Sequence, residues 1–559
     1  MLGRDGRSTR SGVSLAADGA AIDRTEVPDC FNNYFVTVAT SLASSLPNTG
    51  DYHNPLPRCP NSCIFEPVTR NEIRETVLSF NSKKCHKDEI PIYLIKRILD
   101  HILAPLVHII NLAIVSGIYP DCLKQARVVA IHKSGDPKLV SNYRPISTLN
   151  VFNKILEKVI HHRLLTFLDD NATLTEAQFG FRKHCSTTTP LFWLVQDLLK
   201  TYHSKLYTIC LFLDLKKAFD TVVHKILLSK LESYGIRGTA NNLIKSYLEN
   251  RHQYVEVNGL KSADKPVSVG VPQGSVLGSV LFNLFINNMV NIPNVKLLLF
   301  ADDAVCYVTG NSVDEAVSAM RLFIARLSDW LSTNRLIAHE NKTKLMLITC
   351  RPIRDVPDIC FNNVVLDWVS SFKYLGVQID RNLFFRPQVY EVCMRLSKAV
   401  GMMYCVSKFL PQDVLLTIYY TLCYPHIIQS IVIWGGAPVC QISRIQILMN
   451  KILRLILNIR NDNNIPTAPT TQMYCQLRLL KFPDIHKYFL IKFYRHSLQF
   501  QPLLYNTFFR PLIPAHPYRT RNDVLNYPKV RLDVERRGTV FQCAHAFRSI
   551  PRVVCRACK

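Results

Sequence analysis

The chain has 559 residues, 67 lysines and arginines against 42 aspartates and glutamates, a formal charge of +25, and a 48% apolar share. That length is too great for one ordinary domain and enough for two to four, and the apolar share allows a sizeable core. The basic excess suits a polyanion partner through counterion release and steering, although charge alone does not separate nucleic acid from a membrane surface or from a merely solvated basic face.

Residues 1–25 are rich in Gly, Ser, Arg and Asp, carry no apolar signal-peptide core, and read as disordered. A helix is expected from Pro28 to Leu46, then a Pro- and Asn-rich break from Pro47 to Pro67. Periodicity predicts helices over 70–80, 91–117, 150–169 and 188–203, and a strand from Ala126 to His132 running into the turn Ser134-Gly135-Asp136-Pro137. Tyr207 to Leu215 is an almost wholly apolar run, which suits a strand covered on both faces. Gln253 to Val257 and Val267 to Val271 read as a strand pair, Leu277 to Met289 as a helix, and Val295 to Phe300 with Ala304 to Val308 as two strands around Asp302-Asp303. A helix over 313–333 and strands at Lys344 to Thr349, Val364 to Trp368 and Tyr374 to Ile379 follow. From 388 to about 500 the chain is mostly helical and basic, and the remainder is irregular, with no internal repeat.

Two long apolar stretches, Leu103 to Tyr119 and Val414 to Ser443, contain Pro105, His108 and Asn111, and Pro425, His426 and Gln429. They read as buried helices rather than membrane spans. The 18 cysteines are scattered, many in apolar runs (Cys210, Cys306), as free intracellular thiols are. Cys543, His545, Cys555 and Cys558 are the one compact group that could hold zinc, but one residue between the first two is tight for a chelate. The reading is an intracellular protein, not secreted and not membrane-bound, with nucleus and cytoplasm both open.

Asp214 ends an apolar strand, and Asp302 and Asp303 sit in a strand–turn–strand unit. Acids beside buried strands are costly unless a cation compensates, and convergent carboxylates make a hard oxygen cage for Mg²⁺. Taken alone, two acids in a turn are as readily solvated turn formers. Context decides: FLDLKKAFDTV, GVPQGSVLGSVLF and FADDAVCYV occur in that order. In this order they resemble the reverse transcriptases of non-LTR (LINE-type), jockey-like retrotransposons, and the resemblance runs from FNNYF at Phe31 to FRSIP near Pro551.

The resemblance implies an α+β right-hand polymerase with fingers, an antiparallel-sheet palm and a helical thumb, followed by a helical and irregular extension. The expected divisions are 1–66 (N-terminus and linker with one helix), 67–385 (fingers and palm), 386–500 (thumb and connection) and 501–559 (irregular basic tail). It implies two Mg²⁺ ions, with Mn²⁺ the alternative, on Asp214, Asp302 and Asp303, and nucleotidyl transfer from a dNTP to a primer 3′-hydroxyl on an RNA template. Lys133, Arg144, Phe219, Gln273 and Gly274 become the dNTP contacts, with Arg144 able to bind phosphate bidentately and Gly274 admitting close backbone approach. Phe219 under the sugar would exclude a 2′-hydroxyl. That selects deoxyribose and argues against an RNA-dependent RNA polymerase. Asp220 supports its loop.

Lys342, from ENKTKLMLI, matches the family's Lys-Thr pair and is the general-acid candidate for the leaving pyrophosphate. Tyr374, Leu375 and Gly376 in FKYLGVQI resemble the primer grip, and Phe181 and Arg182 in QFGFRKHCST the template side. In the helix starting at Arg444, that residue shares a basic face with Lys451, Arg454 and Asn458, interrupted by Ile447, which suits a duplex backbone. Ser279, Asn288 and His339 depart from the family's usual proline, aspartate and asparagine, which leaves an inactive nucleic-acid-binding relic as the alternative. The expected partners are an RNA template, a DNA primer or nicked target, and dNTPs. Nothing before Phe31 is long enough for the endonuclease usual in jockey-like elements, so that activity is expected from elsewhere.

Overall fold

The computed structural model describes residues 16–17, 20–44, 54–81, 90–352, 355–459, 470–509 and 536–548. The chain forms two units of mixed helix and sheet. The first is Met1–Phe181, Asp214–Pro293 and Ala325–His339, and the second is Arg182–Leu213, Asn294–Ile324 and Glu340–Lys559.

In the first unit a sheet runs in the order Tyr143–Thr148, Gln125–His132, Arg251–Val257, Leu260–Lys261. Gln125–His132 pairs antiparallel with Tyr143–Thr148 and parallel with Arg251–Val257. The Tyr143–Thr148 strand was not anticipated, and its Pro145, which lacks an N–H, is tolerated because the strand lies at the sheet edge. The N-terminal helix, Val27–Ser44, packs Val27, Phe31 and Phe35 against Val128, Tyr143, Val255 and Val257. Its fully buried Asn32 donates to Ala263 O (2.7 Å) and Ser262 Oγ (3.0 Å) and accepts from Gln253 Nε2 (3.1 Å). Such an amide is tolerated inside because its hydrogen-bonding groups are met.

The expected 91–117 helix is two, Ile92–Arg97 and Leu99–Ser116, the second ending at Gly117 in the left-handed region (φ +67°). By length and composition Leu99–Ser116 is apolar enough to cross a membrane. One face of it (Leu99, Leu103, Leu106, Ile110, Ile114) is nevertheless buried, and Asn111 exchanges hydrogen bonds with the Val68 backbone (2.7 and 3.2 Å). Val151–Asp170, capped by Asn150, packs against Val276–Ile286. His224–Ser233 and Gly238–Leu248 are helices that the sequence reading left unmarked.

In the first unit one expected strand is corrected. The strand read over Val267 to Val271 is Lys265–Val267. Beyond it the chain bonds instead to the segment after Asp214: Gly270 N donates to Val222 O (2.8 Å) and Val271 N to Phe219 O (2.9 Å). Gly270 has φ +88°, and a Cβ there would meet Asp220 O at 2.6 Å.

The second unit holds a five-stranded sheet in the order Asp367–Trp368, Lys344–Ile348, Tyr207–Leu213, Asp303–Gly310, Lys296–Phe300. All its pairs are antiparallel except Lys344–Ile348 with Asp367–Trp368. Tyr207–Leu213 is central, with Ile209 to Leu213 all buried, as its unbroken apolar text requires. Thr188–His203 packs on this strand. Val414–Ser443 is a broken helical series (Gln412–Ile418, Tyr419–Cys423, Tyr424–Ile428, Ile431–Trp434), interrupted at Ser430 (φ +48°). The stretch from 501, read as irregular, contains the helices Pro502–Phe508 and Thr539–Arg548.

Candidate active site

The acidic turn is set by sheet register. Phe300 pairs with Asp303, so only Ala301 and Asp302 make the hairpin turn. Ala301 adopts φ +56° and is buried. A left-handed alanine is disfavoured by about 1 kcal/mol, a local strain the surrounding sheet has to impose. Asp302 is half-buried and Asp303 exposed. On the neighbouring strand Leu213, the residue before Asp214, pairs with Ala304, the residue after Asp303. Cys210 and Cys306 lie further along the same two strands, and burial pushes both thiols up, which leaves them as inert packing groups.

In the first unit, Asp214 O accepts from His339 N (2.7 Å), Lys216 N donates to Ile337 O (2.8 Å), and Leu215 bridges Ala338. The departure at His339 therefore acts at a position whose contact to Asp214 is made by backbone. Lys133 follows the Gln125–His132 strand and Arg144 lies across from Ile131, so both exposed cations stand at one end of this hairpin. Phe219 is half-buried, stacked on Phe282 (centroids 4.2 Å) and edge-on to the exposed Phe181 (6.3 Å). Gln273 O accepts from Ser147 N (2.8 Å), and Gly274, at φ +106°, has Ser147 O only 2.9 Å from where a Cβ would stand. Ser275 caps the following helix by accepting from Gly278 N (2.9 Å).

Two residues beside this site escaped the sequence reading. Glu157 is fully buried: its Oε2 accepts from Val276 N (2.7 Å) and its Oε1 from Tyr247 Oη (2.8 Å). Burial pushes its carboxyl up, opposed by the Val276 amide and the Tyr247 hydroxyl. Lys230, also fully buried, donates to Phe285 O (2.5 Å) and Asn288 Oδ1 (2.8 Å). The readable signal in both cases was a charged residue on the apolar stripe of a helix, Glu157 between Asn153 and Ile160 and Lys230 between Leu227 and Leu231.

In the second unit Lys344 is held by Asp367 (2.5 Å), while Lys342 is exposed on the preceding turn. The strand read over Tyr374 to Ile379 is a hairpin, Ser371–Tyr374 and Val377–Asp380, because Leu375 (φ +46°) and Gly376 (φ +85°) turn the chain. Tyr374 is buried near Phe212, and its hydroxyl has no partner among the described residues. Leu375 and Gly376 in the turn are half-buried, and Lys373 beside them is exposed. In the helix Val439–Ile456, Arg444 and Lys451 are exposed and Arg454 half-buried, opposite buried Ile445, Met449, Ile452 and Ile456. Arg182 is half-buried in a turn closed by Cys185 N to Arg182 O (3.2 Å).

Among the described residues no three His, Cys, Asp or Glu side chains form a ready metal cage. Carboxylates at strand ends are still the donor chemistry that Mg²⁺ takes, with waters and phosphates completing its shell. The zinc pair fares worse. Cys543 is buried and donates to Leu490 O (3.7 Å), whereas His545 is exposed, and two residues along a helix point to different sides. Cys555 and Cys558 lie outside the described residues.

Residues 131–379 match the family of reverse transcriptases (RNA-dependent DNA polymerases). It is similar to the RNA-directed DNA polymerase from mobile element jockey of Drosophila funebris, 31% identical over 437 residues, which cover 75% of this chain and 46% of the relative. The jockey polymerase of Drosophila melanogaster is 30% identical over 404 residues (70% and 44%), and the probable RNA-directed DNA polymerase from transposon X-element of the same species 31% over 403 (70% and 44%). These similarities place the chain beside the polymerases of non-LTR retrotransposons. The chain spans about half the length of the curated relatives it matches.

Proposed function

We propose that the chain is a right-hand, RNA-directed DNA polymerase that extends a primer 3′-hydroxyl with dNTPs on an RNA template and releases pyrophosphate. The observation that carries this is the register of Leu213 with Ala304, which levels the strand end leading into Asp214 with the Asp302–Asp303 turn. Those three carboxylates would hold two Mg²⁺ ions, which supply Lewis-acid activation of the hydroxyl and stabilise the leaving oxygen.

The chain's own residues do the rest. Lys133 and Arg144 neutralise the triphosphate, Gln273 and the Gly274 backbone meet the sugar and base pair, and Lys342 donates a proton to pyrophosphate. The Leu375–Gly376 turn holds the primer end in line, with Tyr374 packed beneath it. Phe181, Arg182, Lys451 and Arg454 follow the duplex through its backbone and shape rather than its sequence. The test is primer extension on poly(rA)/oligo(dT) with dTTP and Mg²⁺. Salt-sensitive binding accompanied by extension is expected, and binding without product on any primed RNA would leave only the relic.

Phe219 supplies a second test. Its ring is backed by Phe282 and so cannot easily swing aside. Phe219→Ala is expected to raise UTP use relative to dTTP on the order of 10²-fold. An unchanged ratio would remove Phe219 from the sugar pocket.

A further inference from the structure

The turn Pro272–Ser275, which carries Gln273, ends at the amino end of the Val276–Ile286 helix. The first amides of a helix have no partner inside it and must be met from outside. Ser275 meets Gly278 N. Val276 N is met by a carboxylate arriving from another helix, Glu157 of Val151–Asp170, 119 residues earlier in the chain. Two donors face this carboxylate's oxygens, the Val276 amide on one and the Tyr247 hydroxyl on the other. An ionised carboxylate can accept both, and negative charge is favoured at a helix amino end.

The same turn is fixed from its other side, where Ser147 N donates to Gln273 O and Ser275 Oγ donates to Pro272 O (2.9 Å). Tyr247 is itself buried and packs edge-on to Tyr119 (5.1 Å), whose hydroxyl donates to Asn153 Oδ1 (2.8 Å) on the Glu157 helix. A buried polar chain of this length is costly unless satisfied.

We infer that Glu157 is a positioning residue for the nucleotide-side turn: from inside the first unit its carboxylate fixes where Gln273 and Gly274 stand, without touching the nucleotide. The inference rests on the polymerase reading for its consequence, though not for its geometry. Glu157→Gln is the discriminating variant. An amide has one acceptor oxygen for two donors, so either Val276 N or Tyr247 Oη faces an NH₂ group.

The experiment has two arms, on the full chain. Hydrogen–deuterium exchange followed by mass spectrometry compares peptides over 270–280 in wild type and Glu157→Gln. Primer extension on poly(rA)/oligo(dT) gives kcat and KM for dTTP for Glu157→Gln, Glu157→Asp and Tyr247→Phe. Expected for Glu157→Gln are faster exchange over 270–280 with the rest of the first unit unchanged, and a KM raised about tenfold, the size of one charge-assisted hydrogen bond, with kcat within about twofold. Glu157→Asp, which keeps the charge, should recover part of the loss, and Tyr247→Phe should shift KM less than Glu157→Gln.

Unchanged exchange over 270–280 overturns the positioning role whatever the kinetics show. Faster exchange with unchanged KM overturns its consequence for the nucleotide. A fall in kcat alone, in proportion to folded protein, marks Glu157 as merely structural and also overturns it. Absence of extension by wild type would refute the polymerase reading instead, and the exchange arm would still decide whether Glu157 holds the turn.

Discussion

Replacing Asp302 and Asp303 together by alanine should, on the proposed reading, lower primer extension on poly(rA)/oligo(dT) on the order of 10³-fold or more, because a metal-bound transition state would lose several kcal/mol of charge stabilisation. Binding of the same duplex should change less than about threefold, since in that reading a basic surface and not the acidic turn would meet the phosphates. The substitution is structurally mild. Asp302 is half-buried, Asp303 exposed, and the strands either side are held by backbone register and by buried Leu297 to Leu299 and Ala304 to Val308. Extension that survives the double substitution would dissociate this turn from the chemistry. Extension lost together with duplex binding and thermal stability would point to damage of the sheet instead.

A second large effect is expected in stability. Lys230 is buried with two neutral oxygen acceptors, Phe285 O and Asn288 Oδ1, which match the two N–H bonds of an uncharged amine. Burial holds its pKa well below the ordinary lysine value. The rings of Phe285 (4.7 Å) and Trp330 (5.3 Å) offer the ammonium form some relief, less than a carboxylate would. Between the depressed folded value and the ordinary lysine value only the unfolded chain carries the extra proton, so unfolding takes up a proton there and stability rises with pH through that window. Urea unfolding of wild type should show stability rising more steeply with pH, on the side below the ordinary lysine value, than Lys230→Met does, by at most about 1.4 kcal/mol per pH unit. Asn288→Asp, which restores a carboxylate beside the amine, should flatten the same slope. Parallel curves for wild type and Lys230→Met would mean that Lys230 stays charged in the folded protein.

The sequence revealed most where local pattern and tertiary environment agree. Thr188–His203 and Val313–Thr333 match their periodic text, and the Asp302 hairpin follows from two short apolar runs with acids between them. It failed where a backbone device overrides the side-chain pattern. Tyr374 to Ile379 alternates like one strand, but the positive φ of Leu375 and Gly376 folds it into two. Val267 to Val271 is apolar enough for a strand, yet Gly270 and Val271 bond to the loop after Asp214. At the site, residues with motif text were nameable, whereas Glu157 and Lys230 act by meeting groups distant in the chain, which no window of sequence displays.

The buried Asn32 has a practical consequence for anyone wishing to cut this protein down. The family-matched stretch begins at residue 131, about a hundred residues after this side chain. A fragment started there would expose Val128's former neighbours, leave Gln253 Nε2 and Ala263 O without their shared amide, and bare the apolar flank of Arg251–Val257. The smallest soluble piece that retains a native first unit therefore has to begin ahead of Val27, and libraries of trimmed variants should show an abrupt loss of expression once their starting point passes Asn32.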